Sequence, residues 1–445
     1  MKFLLRISFT AGVFVMCSAI SLGQEAPATE TSELSSELSS ELSSELTSDF
    51  QHGVLHTSAR SVPPLRVKLG NENIRAIYES CSRAPVAVVA NATSVIGEGA
   101  EGPSTHLIDT LLALGINVKK VFAPEHGFRG DLHNGANFED GIDAQTRLPI
   151  LSLHGTHKKP SPESLEDVRM ILFDIQDVGA RFYTYLSSMF LVMEAAAENG
   201  KVVVVLDRPN PHGHQMAGPM LNPKWKSFVG MLPVPVLHGM TLGEMAQMIN
   251  GEGWLKGGIK CDLIVIPCEG YAHSDQWYPS IAPSPNLPNA EAIALYPSLC
   301  PLEPTLASIG RGTPLPFQCM GMPATNFGDF SFTPVVTPGA APHPKHQDVR
   351  CTGRDLRSLG DQWTESPSGF DWRLVWECRQ IWKPAVDQEF ISSPSFLAKL
   401  TGDESMAQAL NEEEWPVELT AKWMDGLIDF HAQREAYLLY PLLRK

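Results

Sequence analysis

What most constrains this chain is its alternation, from residue 85 onward, of short, mostly apolar runs with longer helical stretches. Pro85–Ala90 reads Pro-Val-Ala-Val-Val-Ala and predicts a strand, followed by a helix over Thr105–Leu114. Val118–Phe122, Pro149–Leu153 and Val168–Phe173 predict three more strands, and a long helix follows over Tyr183–Glu198. Val202–Leu206 reads as a fifth strand, Val234–Leu237 as a sixth, and Thr241–Asn250 as another helix. Short apolar strands alternating with helices suit a parallel sheet covered on both faces. With right-handed crossovers this is an α/β fold, a Rossmann-like doubly wound parallel sheet. Gly251, Gly253, Gly257 and Gly258 then punctuate the chain, and proline-rich loops run from Pro279 to Pro344. Helical patterns return around Leu374–Ile381 and Pro416–Tyr440, so the expected organisation is a Rossmann-like N-terminal domain over 61–256 and a smaller α+β C-terminal domain over 257–445.

The first sixty residues have a different character. Lys2 and Arg6 precede an apolar run from Ile7 to Leu22, with small Ser21 and Gly23 before Gln24, the pattern of a secretory signal peptide over 1–23. Cys17 raises a lipoprotein anchor as the alternative, but Phe14-Val15-Met16 lacks the small residue such a site uses. Residues 24–60 carry a Ser-Ser-Glu-Leu repeat, too polar to offset ordering entropy, and read as a disordered acidic linker. Export to the periplasm or beyond follows, and no later segment is apolar enough to be an integral membrane span. The formal charge of −16 argues against nucleic acid as a partner. Seven of the eight cysteines lie beyond the leader, an odd number without CxxC or zinc-ligand spacing, so buried free thiols are expected. A homodimer is compatible with the sequence.

In an open parallel sheet, ligands bind beyond the carboxyl ends of the strands. The residues that follow the predicted strands are Asn91 and Thr93, then Pro124-Glu125-His126-Gly127-Phe128-Arg129-Gly130, then His154. After them come Asp174, Gln176, Asp177 and Arg181, then Asp207-Arg208-Pro209-Asn210, then His238. Singly each is as readily a cap or turn residue; together they read as the rim of an active site. Glu125 follows an apolar strand and precedes glycines that let a ligand approach the backbone. A partly desolvated carboxyl there suits a general acid at a glycosidic oxygen. The plainer reading makes Glu125 the partner of Arg129 or His126. Asp207 is the candidate second carboxylate, or a holder of a sugar hydroxyl. Arg129, Arg181 and Arg208 present fork-shaped donors for a carboxylate, with internal ion pairs to Asp174, Asp177 or Asp207 as the plainer reading. GxGxxG after the first strand, a Walker loop, GxSxG and HExxH are all missing, which removes dehydrogenases and kinases. No metal or cofactor is implied.

The Pro124–Gly130 stretch, together with Phe173-Asp-Ile-Gln-Asp-Val-Gly-Ala-Arg-Phe-Tyr-Thr-Tyr185, resembles the exo-acting β-N-acetylmuramidases of the NamZ type. Leu206–Pro211, Val236–Thr241, Pro283–Pro288 and Ile309–Thr313 extend the resemblance over about Val67 to Tyr440. It departs at Glu303-Pro304-Thr305, where the family pattern has a central glycine. The resemblance implies a glycoside hydrolase that releases terminal N-acetylmuramic acid from peptidoglycan fragments in cell-wall turnover. Its catalytic glutamate would be Glu125, and its partners peptidoglycan-derived sugars or muropeptides. The lactyl carboxylate of that sugar needs a positive pocket, with Arg129, Arg181, Arg208 and Arg311 as available donors. Asn91, His126, Asp174, Asp177, Tyr183, Asn210, His238 and Asn286 complete the expected binding set, with Tyr185, Phe128 and Trp277 as stacking candidates. Three competing readings stand beside it: a muropeptide-binding protein without turnover, a glycosidase for another N-acetyl amino sugar, and a metal-dependent hydrolase using His126, His154, Asp174 and His238.

Overall fold

The computed structural model describes residues 54–56, 66–97, 104–125, 127–129, 140–323, 328–366, 369–382, 389–410, 412 and 417–444. The leader, the Ser-Glu-Leu tether and His126 lie outside them.

Helix α1 (Ile74–Cys81) leads into strand β1 (Val86–Ala90), and α2 (Leu107–Ala113) joins β1 to β2 (Val118–Ala123). Strands β3 (Gly141–Ile142), β4 (Pro149–Ser152) and β5 (Met170–Asp174) follow, and α3 (Tyr185–Glu198) connects β5 to β6 (Val202–Leu206). Helix α4 (Leu242–Gly251) precedes β7 (Asp262–Ile266). The seven strands form one sheet in the order β7-β6-β5-β1-β2-β4-β3, parallel except for β3 at the edge.

Strand alternation sorts the side chains of this sheet into two cores. Val86, Val88, Ala90, Val121, Leu172 and Val204 face α1 and α2 on one side. Ala87, Val89, Phe122, Ile171, Phe173 and Val205 face α3 and α4 on the other. That is the doubly wound arrangement the continuous apolar runs call for. The α3–α4 core does not stop at the sheet. It continues through Leu295, Leu299, Phe317, Met320, Trp372 and Phe430, so the C-terminal residues complete the same hydrophobic body.

Beyond the sheet, Ala290–Leu299 forms a buried helix, and Cys319–Met322, Cys351–Asp355 and Phe330–Phe332 make a small antiparallel sheet with Cys351–Asp355 in the middle. Helices at Arg373–Trp382 and Val417–Arg434 answer the expected patterns.

The expected sixth strand is a correction. Pro235–Leu237 does not join the parallel sheet but pairs antiparallel with Gln215–Met220, which also pairs with Val54–His56. Three apolar residues look alike in either kind of sheet, and the proline at 235 fits a short outer strand. The position beside β6 goes instead to β7, which follows the glycines at 251–258 and shows water-exposed positions along an edge.

Candidate active site

Strand β1 is flanked by β2 on one side and β5 on the other, so the chain reverses direction across the sheet there. Such a switch point leaves a crevice at the strand ends. Pro124 and Glu125 leave β2 into it, and the loop after β5 turns back as α3 begins. Gly179 in that loop has φ of +76°, and the Asn210 side chain lies where a β-carbon would stand. The tight turn delivers Phe182, Tyr183, Thr184 and Tyr185 to Glu125.

The cavity there is about 290 Å³. At one end Thr184 Oγ1 donates to Glu125 Oε2 at 3.2 Å, and the Tyr185 hydroxyl donates to the Glu125 carbonyl at 3.2 Å. Asn91 Nδ2 in turn donates to the Tyr185 oxygen at 2.9 Å. The wall is a chain of edge-to-face rings: Tyr185 to Tyr183 at 4.9 Å, Tyr183 to Tyr296 at 5.8 Å, and Tyr296 to Phe317 at 5.0 Å. Burial pushes the hydroxyls of Tyr183, Tyr185 and Tyr296 well above their ordinary pKa, so they remain neutral hydrogen-bonding groups. Val229, Leu287, Phe396 and Leu400 add apolar surface, while Ser284 and Asn286 are polar. Glu303 and Arg311 line the same cavity. Arg311 donates to Glu303 at 3.0 Å through one nitrogen and to the Ala340 carbonyl at 3.1 Å through the other.

Of the residues expected at the site, the cavity therefore gathers Glu125, Tyr183, Asn286 and Arg311. Asn91 stands behind it as the support of Tyr185. Asp177 is buried beneath the turn, where one oxygen accepts from the Gly179 N–H at 2.6 Å and the other has no partner among the described residues. Burial raises its pKa to about 7.

His126 lies outside the described residues, and the other expected residues do not line the cavity but have structural partners. Asp174 and Arg208 form a buried ion pair at 2.8 Å, extended by Asn71 and the Thr93 carbonyl. Arg129 grips Asp109 and Asp143 with forked bonds of 2.8–3.1 Å. Arg181 is wholly buried and donates to the carbonyls of Pro219, Val234 and Leu400. Asn210 holds Met240 and His212, while His238 is buried and burial lowers its pKa to about 3. Asp207, expected as the second catalytic carboxylate, is fully buried. Its oxygens are occupied by Tyr440 (2.6 Å), Thr241 (2.7 Å) and the Gly243 N–H (2.8 Å). Phe128 meets His106 edge-to-face at 4.8 Å. Among the described residues no three His, Cys, Asp or Glu side chains converge as metal ligands.

Sequence reasoning passed over Thr184, Tyr296 and Phe317, and gave Glu303 no role. Its one signal was the unusual Glu303-Pro304-Thr305 triplet.

A carboxyl group at the carboxyl edge of a parallel sheet, facing a ring-walled cavity, suits a carbohydrate-cleaving enzyme, and by its relatives the chain is a glycoside hydrolase. It belongs to the NamZ family. The family's N-terminal model, "Exo-beta-N-acetylmuramidase NamZ, N-terminal", matches residues 86–291, and the C-terminal model matches 294–440. The peptidoglycan β-N-acetylmuramidase NamZ of Bacillus subtilis is 36% identical over 348 residues, covering 73% of this chain and 80% of that one. Two crystal structures of DUF1343 family proteins from Bacteroides fragilis share the fold. One is 39% identical with a TM-score of 0.76 over 85% of this chain and 99% of its own; the other is 27% identical with a TM-score of 0.71 over 85% and 100%.

Proposed function

We propose that the enzyme is an exo-acting β-N-acetylmuramidase and that Glu125 is its general acid. The observation that carries this reading is that one aromatic-walled cavity is lined both by Glu125, whose carboxyl accepts from Thr184, and by the guanidinium of Arg311. The cavity is at the small end of the roughly 300–1,000 Å³ usual for small-molecule sites, which favours a single terminal sugar over a longer chain. Glu125 protonates the glycosidic oxygen as the bond to C1 breaks, and water completes the hydrolysis. The Thr184 hydroxyl holds the carboxyl in place. Arg311 receives the lactyl carboxylate, the one charged feature that separates N-acetylmuramic acid from N-acetylglucosamine.

The test is turnover of a chromogenic β-N-acetylmuramide. Glu125→Gln should lower kcat by ~10²–10⁴-fold, the usual contribution of a general acid, while ligand binding survives. Equal turnover by the variant would remove Glu125 from the mechanism, and no turnover by the wild type would favour a muropeptide-binding protein. The leader over 1–23 supports export to the periplasm or medium, which the mass of the protein recovered from cells would check at Gln24.

A further inference from the structure

The cavity contains a second carboxyl group, and it is not where the sequence pointed. Asp207 is sealed behind Tyr440, Thr241 and Gly243. Glu303 lines the same cavity as Glu125, and its side chain keeps 23% of its exposure. It is held by Arg311 through a single nitrogen, in place of the two-pronged grip that Arg129 shows on Asp109. A one-bond pair at a partly exposed guanidinium is the weaker arrangement and exchanges partners readily. The backbone beneath it is firm. Glu303 N donates to the Cys300 carbonyl, and Lys345 Nζ bonds the carbonyls of Leu302 and Ala307 on either side, at 2.9 Å each. Only the side chain is free to change partner.

We propose that Glu303 is the second catalytic carboxyl group and that Arg311 holds it in reserve until the substrate's own carboxylate takes its place. This rests on the reading that Arg311 receives the lactyl group. An arriving carboxylate competes for the same guanidinium, and once it bonds there Glu303 is released into the cavity as an unpaired anion. Glu125 then gives its proton to the glycosidic oxygen, which departs with the electron pair of the C1–O bond as an alcohol. A water oxygen bonds to C1 from the opposite, α face, and the proton it sheds passes to Glu303. The two carboxyl groups have exchanged protonation states, and solvent restores both. A neutral sugar leaves the Glu303–Arg311 pair closed, so selectivity for the anionic sugar arises in the chemical step as well as in binding.

The experiment has two arms, with melting curves to show that each variant folds. Glu303→Gln should lower kcat on the chromogenic β-muramide by ~10²–10⁴-fold with KM little changed. Sodium azide should restore release of the chromophore and yield the α-glycosyl azide, since azide enters on the face that the missing carboxylate served. A purely structural Glu303 predicts neither the kcat-only loss nor the rescue. A β-azide, or no rescue by azide, overturns the proposal. In the second arm, Arg311→Met should lower kcat/KM on the muramide by roughly 10–150-fold, the value of a lost charged hydrogen bond. The same variant should raise hydrolysis of the matching N-acetylglucosaminide, because Glu303 is no longer held, and no rise overturns the reserve mechanism. Equal losses on both sugars overturn the reserve mechanism. If the wild type itself left the muramide intact while cleaving the glucosaminide, the parent reading would fall and this proposal with it.

Discussion

At the scale of single residues, the structure separates carboxyl groups that face the cavity from those enclosed by hydrogen bonds. Asp207 and Glu125 each follow a strand of the same sheet, yet one is fully buried with every oxygen bonded and the other opens into a cavity. Asp207→Asn should therefore keep kcat on the muramide within a few-fold of wild type while lowering the melting temperature, the reverse of Glu125→Gln. Asp177 invites a pH test. Burial raises its pKa to about 7 against ~3.9 in an unfolded chain, so between these values the folded state holds the extra proton. Its contribution to stability thus grows as pH falls from about 7 toward 4, by at most ~1.4 kcal/mol per pH unit. Buried His212 and His238, held down to about 4 and about 3, act oppositely below ~6.5, so wild-type stability alone does not isolate Asp177. The difference between wild type and Asp177→Asn does. In urea denaturation at pH 5 and pH 7, the variant should lack the acid-side gain; parallel pH curves would show that Asp177 titrates at its ordinary value.

These distinctions were not legible from the chain. Arg129, Arg181, Arg208 and Arg311 are equivalent as letters, and Arg181 finds its partners at Pro219, Val234 and Leu400, far apart in sequence. Glu125 was legible because a strand end followed by glycine is a local signal.

At the scale of elements, what could be read was what local pattern determines. Strands β1, β5 and β6 announce themselves because burial on both faces demands apolar side chains at successive positions, whereas β2 and β4 are read from shorter apolar stretches interrupted by Lys119, Lys120 and Ser152. A strand between Cys261 and Cys268 is also expected from the sequence, and β7 lies there, but its place beside β6 is not encoded locally, and Pro235–Leu237 is too short to declare its partner. The turn between β5 and α3 is where an element shapes the site. Gly179→Ala forces a side chain into φ of +76° and onto Asn210, whose amide also holds Met240 and His212. A left-handed alanine alone costs ~1–2 kcal/mol, and the displaced amide adds to it. Gly200→Ala, at φ of +61° but with no atom within 4 Å, provides the comparison. Thermal unfolding should show the Gly179 variant markedly less stable than the Gly200 variant, with kcat reduced only in the former because Thr184 and Tyr185 shift against Glu125.

At the scale of the molecule, the C-terminal residues are part of the frame that carries the sheet. Tyr440 bonds Asp207, and Leu439 N donates to Glu244, which also meets His273 at 2.9 Å with both side chains fully buried. The hydrophobic core runs without interruption from β1 to Phe430. Both the folded protein and the cavity it shapes require nearly the full length of the described chain.

Seven cysteines, Cys81, Cys261, Cys268, Cys300, Cys319, Cys351 and Cys378, are buried as free thiols, and burial raises the pKa of each. Their shelter exists only after folding, since an unfolded chain exposes ordinary thiols with pKa near ~8.5 that oxidants readily capture. Folding in an oxidising medium is therefore a race between collapse and cross-linking, whereas the finished protein has nothing left to lose. Native enzyme should react slowly with a thiol reagent and keep its activity in oxidised glutathione. The same protein refolded from urea in oxidised glutathione should recover far less activity than when refolded with a reductant. Equal recovery under both conditions would mean that these thiols are hidden before oxidation can reach them.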